Sequence, residues 1–265
     1  TALIYRQGHV RPSSAVIHEE RSLPDLWDRK LPLVCEDQAF DPNRDAQQKE
    51  AGGPGDRTSP LAFLAGRVEV VYGGDPSKTR VEDLMRYVDT DRKKVRSMTG
   101  EIVLDYGIGI CRLDTPKAQG CCGFLQRAGK IALSSTEIES DDPYASVLVV
   151  AMDDLPLAES RQVLIQVGTT ARPRGWRTEP AEVTPKNWKH AVPGERILDV
   201  GQAPWMVANT RVRVSLDNSR LTEALLLDSG GEVVRSLAID RNGQRLRVAL
   251  PPEAMYVVLA AGENE

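Results

Sequence analysis

Short β-type runs fill the stretch from Thr99 to Ile165, and no helix-length apolar period interrupts them. Asp-Thr-Pro, Asp-Asp-Pro and Asp-Asp-Leu-Pro steps separate several of the runs, and such steps favour turns. The runs are Glu101–Asp105, Gly109–Leu113, Gly123–Leu125, Lys130–Leu133, Tyr144–Met152 and Arg161–Val167. This spacing is typical of a β-sandwich or a β-barrel.

Six further strand candidates follow in the last part of the chain. They are Arg196–Val200, Arg211–Leu216, Glu223–Leu227, Val233–Ile239, Arg245–Leu250 and Met255–Leu259. The Gly230-Gly231 and Asn242-Gly243 steps between them supply the positive φ angles that tight hairpin turns require. The pattern predicts a second, smaller β unit.

The sequence therefore predicts an all-β fold with two β-sandwich domains, immunoglobulin-like or jelly-roll-like, and at most one or two short helices. Residues 1–60 are expected to form an N-terminal hairpin and a long irregular connector. Residues 61–178 are expected to form the first sandwich and residues 179–265 the small C-terminal one. The boundary follows from a run of turn residues: Pro173, Gly175, Pro180 and Pro185.

Local patterns refine this outline. Ala2 to Ile17 indicates two extended runs joined by a Gly8-His9 turn. Asp25–Asp28 favours a short helix, where Leu26 and Trp27 would hold the connector against a neighbouring surface. Val81, Leu84, Met85 and Val88 have helical spacing, which predicts a surface helix over Thr79 to Val88.

Composition excludes some classes of partner. The formal net charge of −4, from 34 basic and 38 acidic residues, gives no basic surface for a phosphate backbone, so nucleic acid is not expected. The apolar runs are far shorter than the roughly 18 residues of a membrane span, so we expect a soluble chain. The chain starts at Thr1 without a signal-like segment, which indicates a fragment or a removed leader. We expect a secreted or periplasmic location rather than a cytoplasmic one.

The four cysteines do not have zinc-site spacing. Cys121 and Cys122 are adjacent, so their side chains would project to opposite faces of a strand. Buried thiols are favoured over bridges for these two, Cys35 and Cys111. Only three histidines are present, and no zinc site is predicted.

Four segments occur in an order that resembles the tail of a known enzyme class. They are Ser97–Asp105; Leu113–Gly120 with Gly123-Phe124; Leu155–Ile165; and Arg245–Leu250 with Met255–Val258. This order resembles the C-terminal β-sandwich region of large bacterial clan-A glycoside hydrolases, the β-galactosidase-like and agarase-like enzymes that carry a (β/α)₈ catalytic barrel. The opening Ala2–Val10 is similar to the segment that follows the barrel.

The resemblance implies a non-catalytic accessory region. In such enzymes the catalytic glutamates lie on the barrel strands, and this chain has no room for that barrel, so no catalytic residue carries over. The resemblance implies that the region braces a catalytic barrel of the same polypeptide and borders its cleft for an oligo- or polysaccharide.

Carboxylate pairs do occur, but their context favours turn capping. Asp141-Asp142 and Asp153-Asp154 both lie in predicted turns, where an Asp side chain accepts from a nearby backbone N–H. Asp114 precedes Thr115-Pro116 and is a weak candidate for a calcium ligand; no other cofactor is expected. Ser160 has no glycine elbow around it and is expected to be structural.

Two alternatives remain open at this stage. Trp176, Trp188 and Trp205 cluster near the predicted domain junction, where exposed indoles would form a sugar-binding platform and buried ones would join the two sandwiches. A weaker alternative is a self-standing hydrolase that uses His9 or His18 with acids from the connector.

Overall fold

A computed structural model describes residues 2–29, 61–184 and 190–262. Strands dominate this part of the chain, which confirms the all-β class. It contains three five-residue α-helices, one more than the sequence predicts: α1 Ala2–Arg6, α2 Leu23–Trp27 and α3 Leu61–Ala65. None of the helices in these ranges is long and apolar enough to cross a membrane.

The N-terminal unit is a small mixed sheet with its own core. Its strands are β1 Ala15–Arg21, β2 Arg67–Tyr72 and β3 Arg80–Val81, in the order β2-β1-β3. β1 runs parallel to β2 and antiparallel to β3. Its buried apolar residues are Val16, Ile17, Ala62, Ala65 and Leu84.

Two local predictions for this unit are wrong. Ala2–Arg6 is helical rather than extended. The chain leaves this helix at Gly8, which has a φ of +63, and His9 N donates a hydrogen bond to Ile4 O. The helix predicted over Thr79 to Val88 is reduced to a 3₁₀ turn at Leu84–Tyr87. Asp83 caps that turn, and Val88 already pairs as a strand.

The main body is a sandwich of a ten-stranded and a five-stranded sheet. The larger sheet has the order β19-β18-β22-β12-β11-β8-β7-β6-β5-β4, and the smaller one the order β20-β21-β17-β10-β9. The strands of the larger sheet are β4 Val88–Asp89, β5 Lys94–Arg96, β6 Ile102–Asp105, β7 Ile110–Asp114, β8 Ala118–Gly123, β11 Ala145–Ala151, β12 Gln162–Thr169, β18 Glu223–Leu227, β19 Val233–Ser236 and β22 Tyr256–Ala260. Those of the smaller sheet are β9 Lys130–Ala132, β10 Thr136–Ser140, β17 Val212–Asp217, β20 Asp240–Asn242 and β21 Arg245–Ala249.

Inward-pointing side chains of both sheets fill the space between them. On β11 the side chains of Val147, Val149 and Ala151 point into the core, and β17 contributes Val214 and Leu216 from the other sheet. On central strands such as β12 and β21, buried apolar residues alternate with more exposed ones, so these strands bury one face.

The predicted division at residues 178 and 179 differs from the structure. β10 pairs with β17, and β12 pairs with β22, so strands from both sides of that boundary lie in the same sheets. Their apolar residues form one core cluster. The turn-rich segment at the boundary leads into an arm instead of a linker.

The arm is a long antiparallel hairpin inserted between β12 and β17. Its strands are β13 Ala171–Arg174, β14 Arg177–Val183, β15 Val192–Asp199 and β16 Gln202–Val207. β13 pairs with β16, and β14 pairs with β15. Its base is closed by Ala208 N, which donates to Thr170 O at 2.9 Å.

Candidate functional site

A group of large apolar side chains is exposed on the N-terminal unit. Ser22 starts α2 with a capping box, in which its hydroxyl accepts from Asp25 N and the Asp25 carboxylate accepts from Ser22 N. The short helix follows β1 directly, and no residue of it is buried. It therefore presents apolar side chains to the outside.

We call these residues the N-terminal apolar patch: Leu23, Leu26 and Trp27 of α2, and Val71 and Tyr72 of β2. All five are exposed, and Trp27 keeps 78% of its accessible surface. Leu23 lies against the turn after β2, since its Cδ2 would be 3.8 Å from a Cβ on Gly73. Leu23, Leu26 and Trp27 are three and four residues apart, so they are neighbours on the helix surface.

The patch differs from the outer face of the five-stranded sheet. That face carries interlocked charges, with Glu139 accepting from both Arg213 Nε and Arg247 Nη2 at 3.2 Å. The Arg213 guanidinium lowers the pKa of the Glu139 carboxyl. Such a face is suited to water, whereas exposed large apolar side chains indicate a candidate interaction site.

The arm is the second exposed surface. Ile197, Leu198, Val200, Trp205 and Met206 are all exposed on it. Sequence analysis missed the hairpin because its turn residues were interpreted as a domain junction. The segment Thr178–Val183 has no regular apolar alternation, so no local pattern marked it as a strand.

The three candidate tryptophans differ in their exposure and in whether the structure describes them. Trp205 is 66% exposed and pairs in register with Pro173. Trp176 is half-buried, and the Arg172 guanidinium lies 5.1 Å from its ring centre. Trp188 lies outside the described residues. Trp205 lies on β16 and Trp176 lies between β13 and β14, so the structure shows no shared platform of the two indoles among the described residues.

His9 is buried, which removes it from any exposed catalytic site in the described residues. Its side chain is 5% exposed, and neither ring nitrogen has a hydrogen-bond partner. Burial, followed by the nearby Lys117 ammonium, lowers the pKa of His9, while Asp154 opposes the shift. The buried imidazole thus lies near Lys117 and Asp154 of the sandwich.

His18 lies between two carboxylates on β1 and β2. Its Nδ1 is 3.1 Å from Glu69 Oε2, and its Nε2 is 3.4 Å from Glu20 Oε1. These hydrogen bonds, led by the one to Glu69, raise the pKa of His18. The acids of the connector that the hydrolase hypothesis invokes lie largely outside the described residues, so that hypothesis stays a prediction.

Of the two acidic pairs, Asp153 caps its turn as the sequence predicts, whereas Asp142 binds the start of a distant strand, and Asp154 and Asp141 form ion pairs with Lys117 and Arg213. Asp153 accepts from Leu155 N at 3.3 Å and from Arg161 N at 2.7 Å. Asp142 is buried and accepts from Arg211 N at 2.9 Å.

Asp114 has a structural role in the turn after β9. It accepts from both the backbone N and the hydroxyl of Ser134. No group of three or more histidine, cysteine or acidic residues within the described ranges is arranged to hold a metal ion.

Three cysteines of the described residues are free thiols. Cys121 points into the core and Cys122 to the opposite face, which confirms the predicted alternation. Cys35 lies outside the described residues.

A cavity of about 70 Å³ lies at the base of the arm, between Val167, Thr169, Val207 and the Pro252–Met255 segment. Ligand pockets usually have volumes of roughly 300–1,000 Å³, so this cavity is too small for a sugar ring with its surroundings. The exposed surfaces of the N-terminal unit and the arm are therefore the stronger candidates for function.

The comparisons with known proteins give no further guide. A scan against protein-family models found no match, and neither did searches of curated proteins and of solved structures.

Proposed function

We propose that this chain is a non-catalytic accessory β region of a glycoside hydrolase, which packs against a catalytic (β/α)₈ barrel and borders its cleft. The observation that carries the proposal is the N-terminal apolar patch. It follows closely on Ala2–Val10, the segment that resembles the one after the barrel. A barrel joined ahead of Thr1 would lie beside this unit.

The placement of the four resembling segments supports the same proposal. Ser97–Asp105 ends in β6, and Leu113–Gly120 connects β7 with β8. Leu155–Ile165 enters β12, and the last segment spans β21 and β22. All four contribute to one sandwich, so the resemblance concerns one folded body and not scattered strands.

The burial of the patch can be tested in the natural gene product. Its intact mass should be well above the 29.1 kDa of this chain. In that protein, a Leu26→Ser/Trp27→Ser variant should lower the thermal midpoint of the barrel, because the barrel would lose an apolar contact. A Val233→Ser variant is the matched control, since Val233 is equally apolar and exposed but lies on β19.

Two results would contradict the proposal. One is robust glycoside hydrolysis by this chain alone. The other is a natural product of 29.1 kDa that is a folded monomer with an exposed patch. If the patch instead protects residues 30–60 from proteolysis, then the connector covers the patch. In that case the patch is not the docking face for a barrel, and this part of the proposal is wrong.

A carbohydrate-binding module is a second candidate, and the exposure of Trp205 is the observation that favours it. A pyranose ring presents C–H groups that stack on an exposed indole. Glycan titration should then quench the tryptophan fluorescence of the chain, and Trp205→Ala should abolish the response. Trp27→Ala is the control, because Trp27 is also exposed but lies in the N-terminal unit. An equal response in both variants would exclude Trp205 as the platform.

A further inference from the structure

Cys111 and Cys122 lie directly opposite each other on adjacent strands. β7 and β8 are antiparallel, and their register pairs Cys111 with Cys122 without a bulge. Both side chains are half-buried. They share the face of the ten-stranded sheet that is turned away from the core, because their strand neighbours Ile110 and Cys121 point into the core.

The hydrogen bonds of the ladder fix the separation of the two Cα atoms. Phe124 N donates to Gly109 O, and Thr115 N donates to Ala118 O. Hydrogen-bonded pairs recur at every second residue, so Cys111 and Cys122 also form such a pair, with Cα atoms about 5.5 Å apart. Disulfides typically have Cα separations of about 4.4–6.8 Å. The Cα separation therefore lies within the range of a bridge.

The two thiols are also chemically prepared for this reaction. A hydrogen bond from the Cys111 thiol lowers the pKa of Cys122 to about 6, and the same contact raises that of Cys111. The thiolate is the species that attacks a disulfide. Cys121 differs, because burial in the core raises its pKa to about 12.

We propose that Cys111 and Cys122 form a reversible cross-strand disulfide, with a small disulfide such as oxidised glutathione as the electron acceptor. The inference is independent of the proposed function, since it depends only on the register of β7 and β8.

The exchange has two steps. The Cys122 thiolate attacks one sulfur of the acceptor, forms a mixed disulfide and releases one thiolate. Cys111 then gives up its proton and attacks the Cys122 sulfur, which forms the Cys111–Cys122 bond and releases a second thiol. The two cysteines are oxidised by two electrons, and one acceptor molecule is reduced to two thiols.

Mass spectrometry tests this directly on the full chain. After incubation with oxidised glutathione, we expect the bridge to lower the intact mass of the chain by about 2 Da. When the remaining thiols are then alkylated, we expect two fewer alkylation sites than in the reduced chain. Peptide mapping should find Cys111 linked to Cys122. The reducing agent dithiothreitol should restore both thiols.

The matched variant is Cys111→Ser. With the second thiol absent, Cys122 should stop at the glutathione adduct. A wild-type chain that also stops at the adduct, or a bridge that joins Cys122 to Cys35 or Cys121, would overturn the proposal. Because Cys111 is half-buried on the outer face, Ser is tolerated there, and a near-unchanged thermal midpoint of the variant verifies its fold.

Discussion

The side-chain amide of Asn218 donates a hydrogen bond of 2.8 Å to the carbonyl oxygen of Ser160, which lies 58 residues earlier in the chain. The same amide donates to Leu157 O at 2.7 Å. Asn218 Oδ1 accepts from Arg220 N. Ser160 is thus a structural serine at the end of a loop that Asn218 holds against β17.

Replacing Asn218 with Ala should destabilise the sandwich. The side chain is 1% exposed, so its loss leaves two buried carbonyls and one N–H without partners. We expect a loss of about 2–3 kcal/mol in the free energy of unfolding, measured by urea denaturation. Asn209→Ala, at an exposed position, is the control and should stay within about 0.5 kcal/mol.

The close packing of β8 against β11 gives a second prediction. A Cβ on Gly120 would lie 2.3 Å from the carbonyl oxygen of Val147. Gly120→Ala must therefore push two central strands apart, and we expect a cost of about 2 kcal/mol or more. Gly168→Ala is the matched control, because Gly168 lies on β12 of the same sheet and has nothing within 4 Å of its Cβ position. Equal midpoints for the two variants would contradict the strand spacing.

Protonation of His9 should destabilise the chain at low pH. Burial lowers its pKa from the ordinary value of 6.5, so the unfolded chain binds a proton at a higher pH than the folded one. Stability is therefore full above pH 6.5 and falls as the pH decreases toward the lowered pKa. His9→Leu should flatten this slope in urea titrations between about pH 7 and pH 5.

His18 provides the opposite sign and serves as the control. Its pKa is raised by Glu69 and Glu20, so the stability that it contributes is present below pH 6.5 and is lost as the pH rises through the raised pKa. The wild-type chain should therefore lose stability as the pH rises above 6.5, and the His18→Gln variant should not show this loss. If both variants change the slope in the same direction, the assigned environments are wrong.

The arm should be dispensable for folding. Among the described residues between Val167 and Val212, none belongs to the main core cluster. Replacing residues 173–205 with Asn-Gly would join Arg172 to its register partner Met206 through a tight hairpin turn. We expect cooperative unfolding with a midpoint within about 3 °C of the full chain. Loss of the cooperative transition would show that the arm stabilises the sandwich.

Local patterns identified many of the strands, but they missed β10, β14 and β16 and could not identify the strand partners. Alternation identified β11 and β12, because each buries one face of the sheet. The pairing of Ile138 with Val214 and of Ile165 with Val257 depends on residues far apart in sequence, which no local pattern specifies. For this reason a turn-rich segment was interpreted as a domain boundary.

The candidate sites show the same limit. The cysteine alternation was predictable from the strand period, but the register that places Cys111 opposite Cys122 was not. The short helix near Asp25–Asp28 was predicted from its acidic start and confirmed as α2, whereas the exposure of Leu26 and Trp27 required the tertiary structure.

The position of β22 also determines when the sandwich can be completed during synthesis. β22 lies between β18 and β12, as the third strand from one edge of the ten-stranded sheet. The earlier strands therefore emerge from the ribosome with an unsatisfied edge on β12 and wait until residue 260 has been released. Such late, long-range pairing folds slowly and exposes the nascent chain to aggregation, so chaperone binding to unfinished chains is expected to be prolonged.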